Sequence, residues 1–263
     1  MVIVLKNRAA IYQREAAEML HKTSTVKRKI AAIKSFYQYL IYKEYLEHNP
    51  FEKLQVHLRQ ERLLPRTIDN YTLSRIFSAA YSDLRESQSN NHYFVSTRNV
   101  AVLELLFATG VRVSELCSIT CENLNLQNQV VLIKGKGSKE RCIYISSPPV
   151  ISALASYSAL RTAIDSPDPY FFLNRDKHRL SEQSVRRIIC RYTPTDAAHY
   201  TPHMFRHSFA TYLWEQCGNI YEVKEILGHS SVKTTERYVH ASFEQQKRIL
   251  TTMHPRNTLK IEF

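Results

Sequence analysis

Glycine is nearly absent from this chain, and that scarcity restricts its possible folds more than any other feature. Only five glycines occur among 263 residues, at 110, 135, 137, 218 and 228. Glycine is the residue that reaches positive φ without steric cost, so chains built from many tight turns use it freely. Here the sequence reads as long helices with few sharp reversals. Gly110, Gly218 and Gly228 each end a predicted helix, and Gly135 and Gly137 fall in a predicted hairpin turn. These are positions where the backbone needs positive φ or a close approach.

Periodicity fills in the elements between them. Val26, Ile30, Ile33, Tyr37 and Leu40 recur at three- and four-residue steps, which predicts one amphipathic helix over 24–47. Lys27, Arg28, Lys29, Lys34 and Lys43 lie between them and leave it a basic face. A charged stretch then runs to Pro65, where helix is disfavoured at the preceding residue. Further helices are expected around 73–81, 99–108 and, briefly, 111–119. The period then changes. Val130–Ile133 and Arg141–Ile145 flank Gly135-Lys-Gly-Ser-Lys139, the pattern of a β-hairpin, and Tyr170–Leu173 reads as a third strand. Helices are expected again over 181–192, 202–217, 220–227, 231–240 and 243–252, followed by a polar tail. The fold class is therefore mostly α with a small antiparallel sheet. The division expected is a short helical domain at 1–60, a linker at 61–67 and a larger domain at 68–263.

Composition narrows the function. An apolar fraction of 44% supports a packed core and excludes disorder as the main state. No apolar run approaches the roughly 18 residues needed to span a membrane. Met1–Lys6 is too short for a secretory core segment and has no basic lead, so a cytoplasmic protein is expected. Five cysteines with no Cys-x-x-Cys argue against a disulfide framework or a four-thiolate zinc site. The net charge is +12, and the pI is near 9.5, the usual footprint of a nucleic-acid binder. Residues 1–65 hold 12 Lys and Arg against 6 Asp and Glu, so the first quarter of the chain is its densest positive segment.

Four clusters carry candidate chemistry. Ala108-Thr-Gly-Val-Arg112-Val-Ser-Glu115 sets an arginine just past a helix stop with a carboxylate three residues on. Gly135-Lys136-Gly137-Ser-Lys139-Glu-Arg141 holds a lysine between two glycines but lacks the spacing of a phosphate-binding P-loop. Thr201-Pro-His203-Met-Phe-Arg206-His207 places His203 and Arg206 on one helix face. His203 and His207 have metal-ligand spacing, but Arg206 is adjacent and no acid completes a set. Last, His229 follows a helix stop and Tyr238 stands nine residues beyond it. Each is weak alone.

In this order they resemble the tyrosine recombinase (phage integrase) superfamily, most closely its bacterial XerC/XerD type. The phrases ATGVRVSELCSIT, GKGSKER, HMFRHSFAT and ILGHSSVKTTERYVH carry the resemblance, which spans roughly residues 65–245. It implies a site-specific recombinase that breaks and rejoins DNA through a 3′-phosphotyrosyl bond and a Holliday junction. Arg112 and Arg206 would clamp the scissile phosphate, and Tyr238 would attack it. Lys136 would protonate the leaving 5′-oxygen, His203 would exchange a proton near Tyr238, and His229 would hydrogen-bond the phosphate. Glu115 would support Arg112. Lys27, Arg28, Lys34, Lys139 and Arg141 are the cations expected on the DNA backbone. The resemblance implies no metal, nucleotide or other cofactor. The implied partner is double-stranded DNA carrying a specific site, bound as a homo-tetramer that is monomeric off DNA, with no membrane involved. The family's N-terminal core-binding domain is usually longer than what precedes Pro65 here. Two alternatives remain at this level: a type IB topoisomerase-like enzyme with the same nucleophile and clamp, and a degenerate integrase that binds DNA without cutting it.

Overall fold

The computed structural model describes residues 23–51, 67–135, 140–228 and 243–259. The chain divides into two units, Met1–Leu64 and Pro65–Phe263. In the first, α1 (Thr23–Tyr42) carries the predicted apolar stripe but ends five residues short of the expected 47, the backbone turning to φ 61° at Glu44. Tyr37 packs on Phe51 with ring centroids 5.0 Å apart. Phe36, Tyr39, Tyr42 and Tyr45 stay exposed.

The second unit is built around one buried helix. Its helices are α2 (Asn70–Arg85), α3 (Asn90–Thr109), the single turn α4 (Val113–Leu116), α5 (Pro148–Thr162), α6 (Glu182–Tyr192), α7 (Pro202–Cys217), α8 (Ile220–Leu227) and α9 (Phe243–Met253). Local chemistry starts most of them. Asp69, Ser181, Thr201 and Asn219 are N-caps whose side chains accept backbone N–H bonds, and Pro202 opens α7 where no amide donor is needed. Ser96–Thr109 of α3 is buried throughout. The sequence explains this, because Asn99-Val-Ala-Val-Leu-Glu-Leu-Leu-Phe-Ala108 is apolar nearly all round and has no face for solvent. α2, α5 and α7 cover it.

Three antiparallel strands, β1 (Leu124–Asn125), β2 (Val130–Lys134) and β3 (Glu140–Tyr144), form a sheet in that order. β2 and β3 pair from Val130↔Tyr144 to Lys134↔Glu140, and Val131, Ile133 and Ile143 face the core. The two strands thus fall within one residue of those expected at 130–133 and 141–145.

The strand expected at 170–173 does not join this sheet. Tyr170 and Leu173 make only isolated bridges, to Thr120 and Arg179. Phe171 and Phe172 are core residues instead, with centroids 5.3 and 5.5 Å from Tyr157. A short apolar run has no period to distinguish a strand from a buried core segment.

The expected polar tail is also corrected. After α9 the chain turns through Pro255–Thr258, with His254 and Arg256 almost fully buried. Arg256 Nε and Nη2 donate to the two oxygens of Glu104 at 2.7 and 2.6 Å, and the Tyr81 hydroxyl donates to the same carboxylate at 2.7 Å. One turn further along α3, the Ala108 carbonyl lies 2.7 Å from His254 Nε2. The tail is polar in composition because it satisfies polar groups buried on α3. Among the described residues, no helix is long and apolar enough to cross a membrane.

Candidate active site

The C-terminal end of α3 assembles the site. Gly110 caps it at φ 57°, and its N–H donates to the Leu106 carbonyl at 3.1 Å. A Cβ here would lie 2.5 Å from Phe209 Cδ1 on α7 and 2.9 Å from Leu227 Cδ2 on α8. Glycine is therefore required twice, by backbone conformation and by the approach of two helices. Directly beyond this junction the chain presents Arg112.

Arg112 is the N-cap residue of α4. Its backbone N–H donates to Glu115 Oε2 at 2.8 Å and its Nη1 to Glu115 Oε1 at 2.7 Å. The three-residue interval read from the sequence is thus one helical turn closed by a carboxylate. The Arg112 side chain keeps 45% of its surface in solvent, while that of Glu115 keeps 6%.

Arg206 arrives from α7, three residues after His203. It is buried, with Nη1 donating to the Gly110 carbonyl at 2.6 Å and Nη2 to the Leu227 carbonyl at 2.9 Å. The second bond satisfies a carbonyl at the end of α8 that has no partner within the helix. Burial, helped by the charges of Arg112 and Arg141 and opposed by Glu115, lowers the Arg206 pKa to about 10. The guanidinium remains charged at neutral pH, and an anion reaching it would relieve both the desolvation and the repulsion. Among the described residues, two of its five N–H donors are engaged by carbonyls.

Glu115 joins these cations. Arg141, on β3, donates from Nη1 to Glu115 Oε1 at 3.2 Å and from Nη2 to Oε2 at 2.9 Å. Burial raises the Glu115 pKa, but bonds from Arg141 and from the Arg112 amide and side chain outweigh it and hold the carboxylate at about 2. Arg141 was expected among the cations on the DNA backbone; its guanidinium is bound to Glu115, and its side chain is only 17% exposed. The reason is the buried carboxylate, which Arg112 alone leaves half satisfied. No spacing in the sequence links residues 115 and 141, so this contact had no local signal.

The structure thus brings together Arg112, Glu115, Arg141 and Arg206. His203 stands exposed in the first turn of α7. Lys136, Lys139, His229 and Tyr238 lie outside the described residues. Arg28 is exposed and Lys34 half-buried on α1 of the other unit, where Lys27 also falls. Among the described residues, no group of three His, Cys, Asp or Glu side chains is placed to hold a metal ion.

The chain is similar to known proteins in sequence and in fold. The phage integrase family matches residues 81–245. A tyrosine recombinase of Agathobacter rectalis is 40% identical over 244 residues, covering 92% of this chain and 80% of that protein. Tyrosine recombinase XerC of Bacillus subtilis is 33% identical over 253 residues, covering 94% of this chain and 80% of its own length. The crystal structure of XerA recombinase superposes with a TM-score of 0.54 at 25% identity, over 97% of this chain and 78% of that one. The Tn1549 transposon integrase, solved with transposon right end DNA, superposes at 0.66 and 19% identity, over 92% of this chain and 83% of that one. The chain belongs to the phage integrase family and is a tyrosine recombinase, an enzyme of DNA recombination.

Proposed function

We propose that this protein is a site-specific recombinase that cuts and rejoins duplex DNA through a 3′-phosphotyrosyl intermediate on Tyr238. One observation supports the reading best: two arginines from separate motifs, Arg112 and Arg206, meet at the Gly110 junction. Guanidinium groups suit a scissile phosphodiester because they offer planar N–H forks and do not deprotonate at neutral pH. Arg206, already desolvated, loses little further hydration when it meets the developing negative charge of the transition state.

The chemistry needs two proton movements. A tyrosine phenol has a pKa of about 10, so it must give up its proton as it attacks. His203 accepts that proton as the Tyr238 oxygen bonds to phosphorus. The bond from phosphorus to the 5′-oxygen breaks, and Lys136 protonates that departing oxygen, leaving a free 5′-hydroxyl. His229 donates to a non-bridging oxygen. The phosphotyrosyl bond conserves the diester's energy, so attack by another strand's 5′-hydroxyl reverses the step without metal or ATP. Two rounds through a Holliday junction exchange the strands, with four copies of the chain assembled on DNA. Residues 1–60 serve as a short core-binding domain gripping DNA through Lys27, Arg28 and Lys34, 61–67 as a linker, and 68–263 as the catalytic domain. A cytoplasmic location follows from the substrate.

The test is covalent trapping on a nicked suicide duplex, built on a site the protein selects from a randomised pool. An SDS-resistant adduct is expected in EDTA, and Tyr238→Phe is expected to abolish it while retaining binding that weakens steeply with salt. An adduct formed by the Phe variant would remove Tyr238 as nucleophile. Strand exchange between two duplexes would separate this reading from a monomeric topoisomerase.

A further inference from the structure

Arg141 has no part in the chemistry above, yet its contacts tie that chemistry together. We propose that Arg141 is a positioning residue: by sharing the Glu115 carboxylate with Arg112, it fixes the direction and preserves the net charge of the phosphate clamp. The proposal rests on the recombinase reading and goes beyond it.

Geometry separates Arg141 from a DNA-gripping cation. Both of its terminal nitrogens donate to Glu115, at 3.2 and 2.9 Å. Its Nε is buried and meets no acceptor among the described residues. One side of the group lies against Gly228, where a Cβ would come within 3.0–3.1 Å of Arg141 Cδ, Nε and Nη1. Little of this guanidinium is left to meet a phosphate. Arg112, more than twice as exposed, has surface available.

Charge and direction give the arrangement its effect. A carboxylate accepts about four hydrogen bonds, and Glu115 receives four: two from Arg112 and two from Arg141. It therefore cannot turn without breaking one. Arg112 and Glu115 alone would be a neutral pair, with the acid cancelling the cation meant for the phosphate. Arg141 restores a net +1 to the trio while remaining off the DNA itself. The low Glu115 pKa agrees with this, since the acid stays ionised and keeps both arginines as partners. Arg141 also follows Lys136 by five residues in the chain, and Gly228 precedes His229 directly. One side chain thus belongs to one motif and lies against two of the other three.

The full-length protein and Arg141→Met, Arg141→Lys, Glu115→Gln and the Arg141→Met/Glu115→Gln pair are compared on the selected nicked duplex. Adduct formation is timed at saturating DNA, and binding affinity with its salt slope is measured in a Tyr238→Phe background. Arg141→Met is expected to slow adduct formation on the order of 10- to 100-fold, the worth of charge-assisted hydrogen bonds. Affinity and salt slope should barely change. Arg141→Lys, which keeps the charge but not the fork, should recover part of the rate, and it carries the test if the Met variant does not fold. The double variant should be no slower than the slower single one. Three results would overturn the proposal. One is weaker binding with a salt slope reduced by about one phosphate contact. Another is multiplicative losses in the double variant. The third is a melting-temperature loss with an unchanged rate at saturating DNA. A wild-type protein that binds the duplex but forms no adduct would overturn the recombinase reading instead.

Discussion

Replacing Arg256 with methionine should destabilise the larger unit more than most single changes can. Arg256 is 3% exposed and its partner Glu104 is 0% exposed. Two parallel charge-assisted bonds at 2.7 and 2.6 Å join them. Methionine fills similar space but strands a carboxylate inside the protein, with the Tyr81 hydroxyl donating to it. Breaking a buried pair from one side costs about 3–5 kcal/mol. For a unit of about 200 residues, each kcal/mol moves the melting temperature by roughly 2–4 °C. The expected drop is therefore roughly 6–20 °C, read by calorimetry or by circular dichroism on heating. The same logic predicts rescue. Arg256→Met with Glu104→Leu and Tyr81→Phe removes the ion pair together with the hydroxyl that donates to it, and should return to within about 1 kcal/mol of wild type, or exceed it. A melting temperature within about 2 °C of wild type for the single variant would refute the reasoning. So would a triple variant as unstable as the single one.

His254 should titrate far below an ordinary histidine. Burial, with the nearby Arg256 charge and against the Ala108 carbonyl bond, lowers its pKa to about 4. Its Nδ1 accepts the Arg256 amide at 3.0 Å, so a second proton would displace that bond. The folded pKa lies below the unfolded value of about 6.5. On the order of 3 kcal/mol of stability is thus complete above pH 6.5 and lost as the pH falls towards 4. A His254 resonance, assigned by its loss in His254→Gln, that titrates near 6.5 in the folded protein would contradict this burial. Gly110→Ala and Gly218→Ala form a matched pair, since both residues have positive φ, at 57° and 69°. A Cβ at 218 meets nothing within 4 Å, whereas at 110 it collides with Phe209 and Leu227. Denaturant titration should show a loss of about 1 kcal/mol at 218 and several at 110; equal losses would mean that the Gly110 junction is not tightly packed.

What the sequence made legible follows physical range. Helix ends were legible where a cap marks them: Gly110, Gly218 and Gly228 close α3, α7 and α8 as expected. The β2–β3 strands were legible because alternation is a local property. α5 was not anticipated, although Ser147-Pro-Pro is an N-cap followed by prolines at the first helical positions. The 254–259 segment was misread because its purpose lies about 150 residues earlier, in a carboxylate buried on α3. At the site, the Arg112–Glu115 turn is local and was visible. The Glu115–Arg141 bonds depend on how a hairpin docks against a helix turn, and no periodicity encodes that.

The all-round burial of α3 also sets the order in which this protein must be made. A buried stretch such as Ser96–Thr109 has no stable resting place until its neighbours exist; α2 precedes it, but the other two covering helices arrive late, α5 ending at Thr162 and α7 at Cys217. At translation rates of 5–20 residues per second, the nascent apolar rod waits roughly 5–20 s after leaving the ribosome before α7 can shield it. Glu104 waits longer still for Arg256, almost the last side chain described. Prematurely terminated products should clump into inclusion bodies even when the break falls far from the residues that handle DNA.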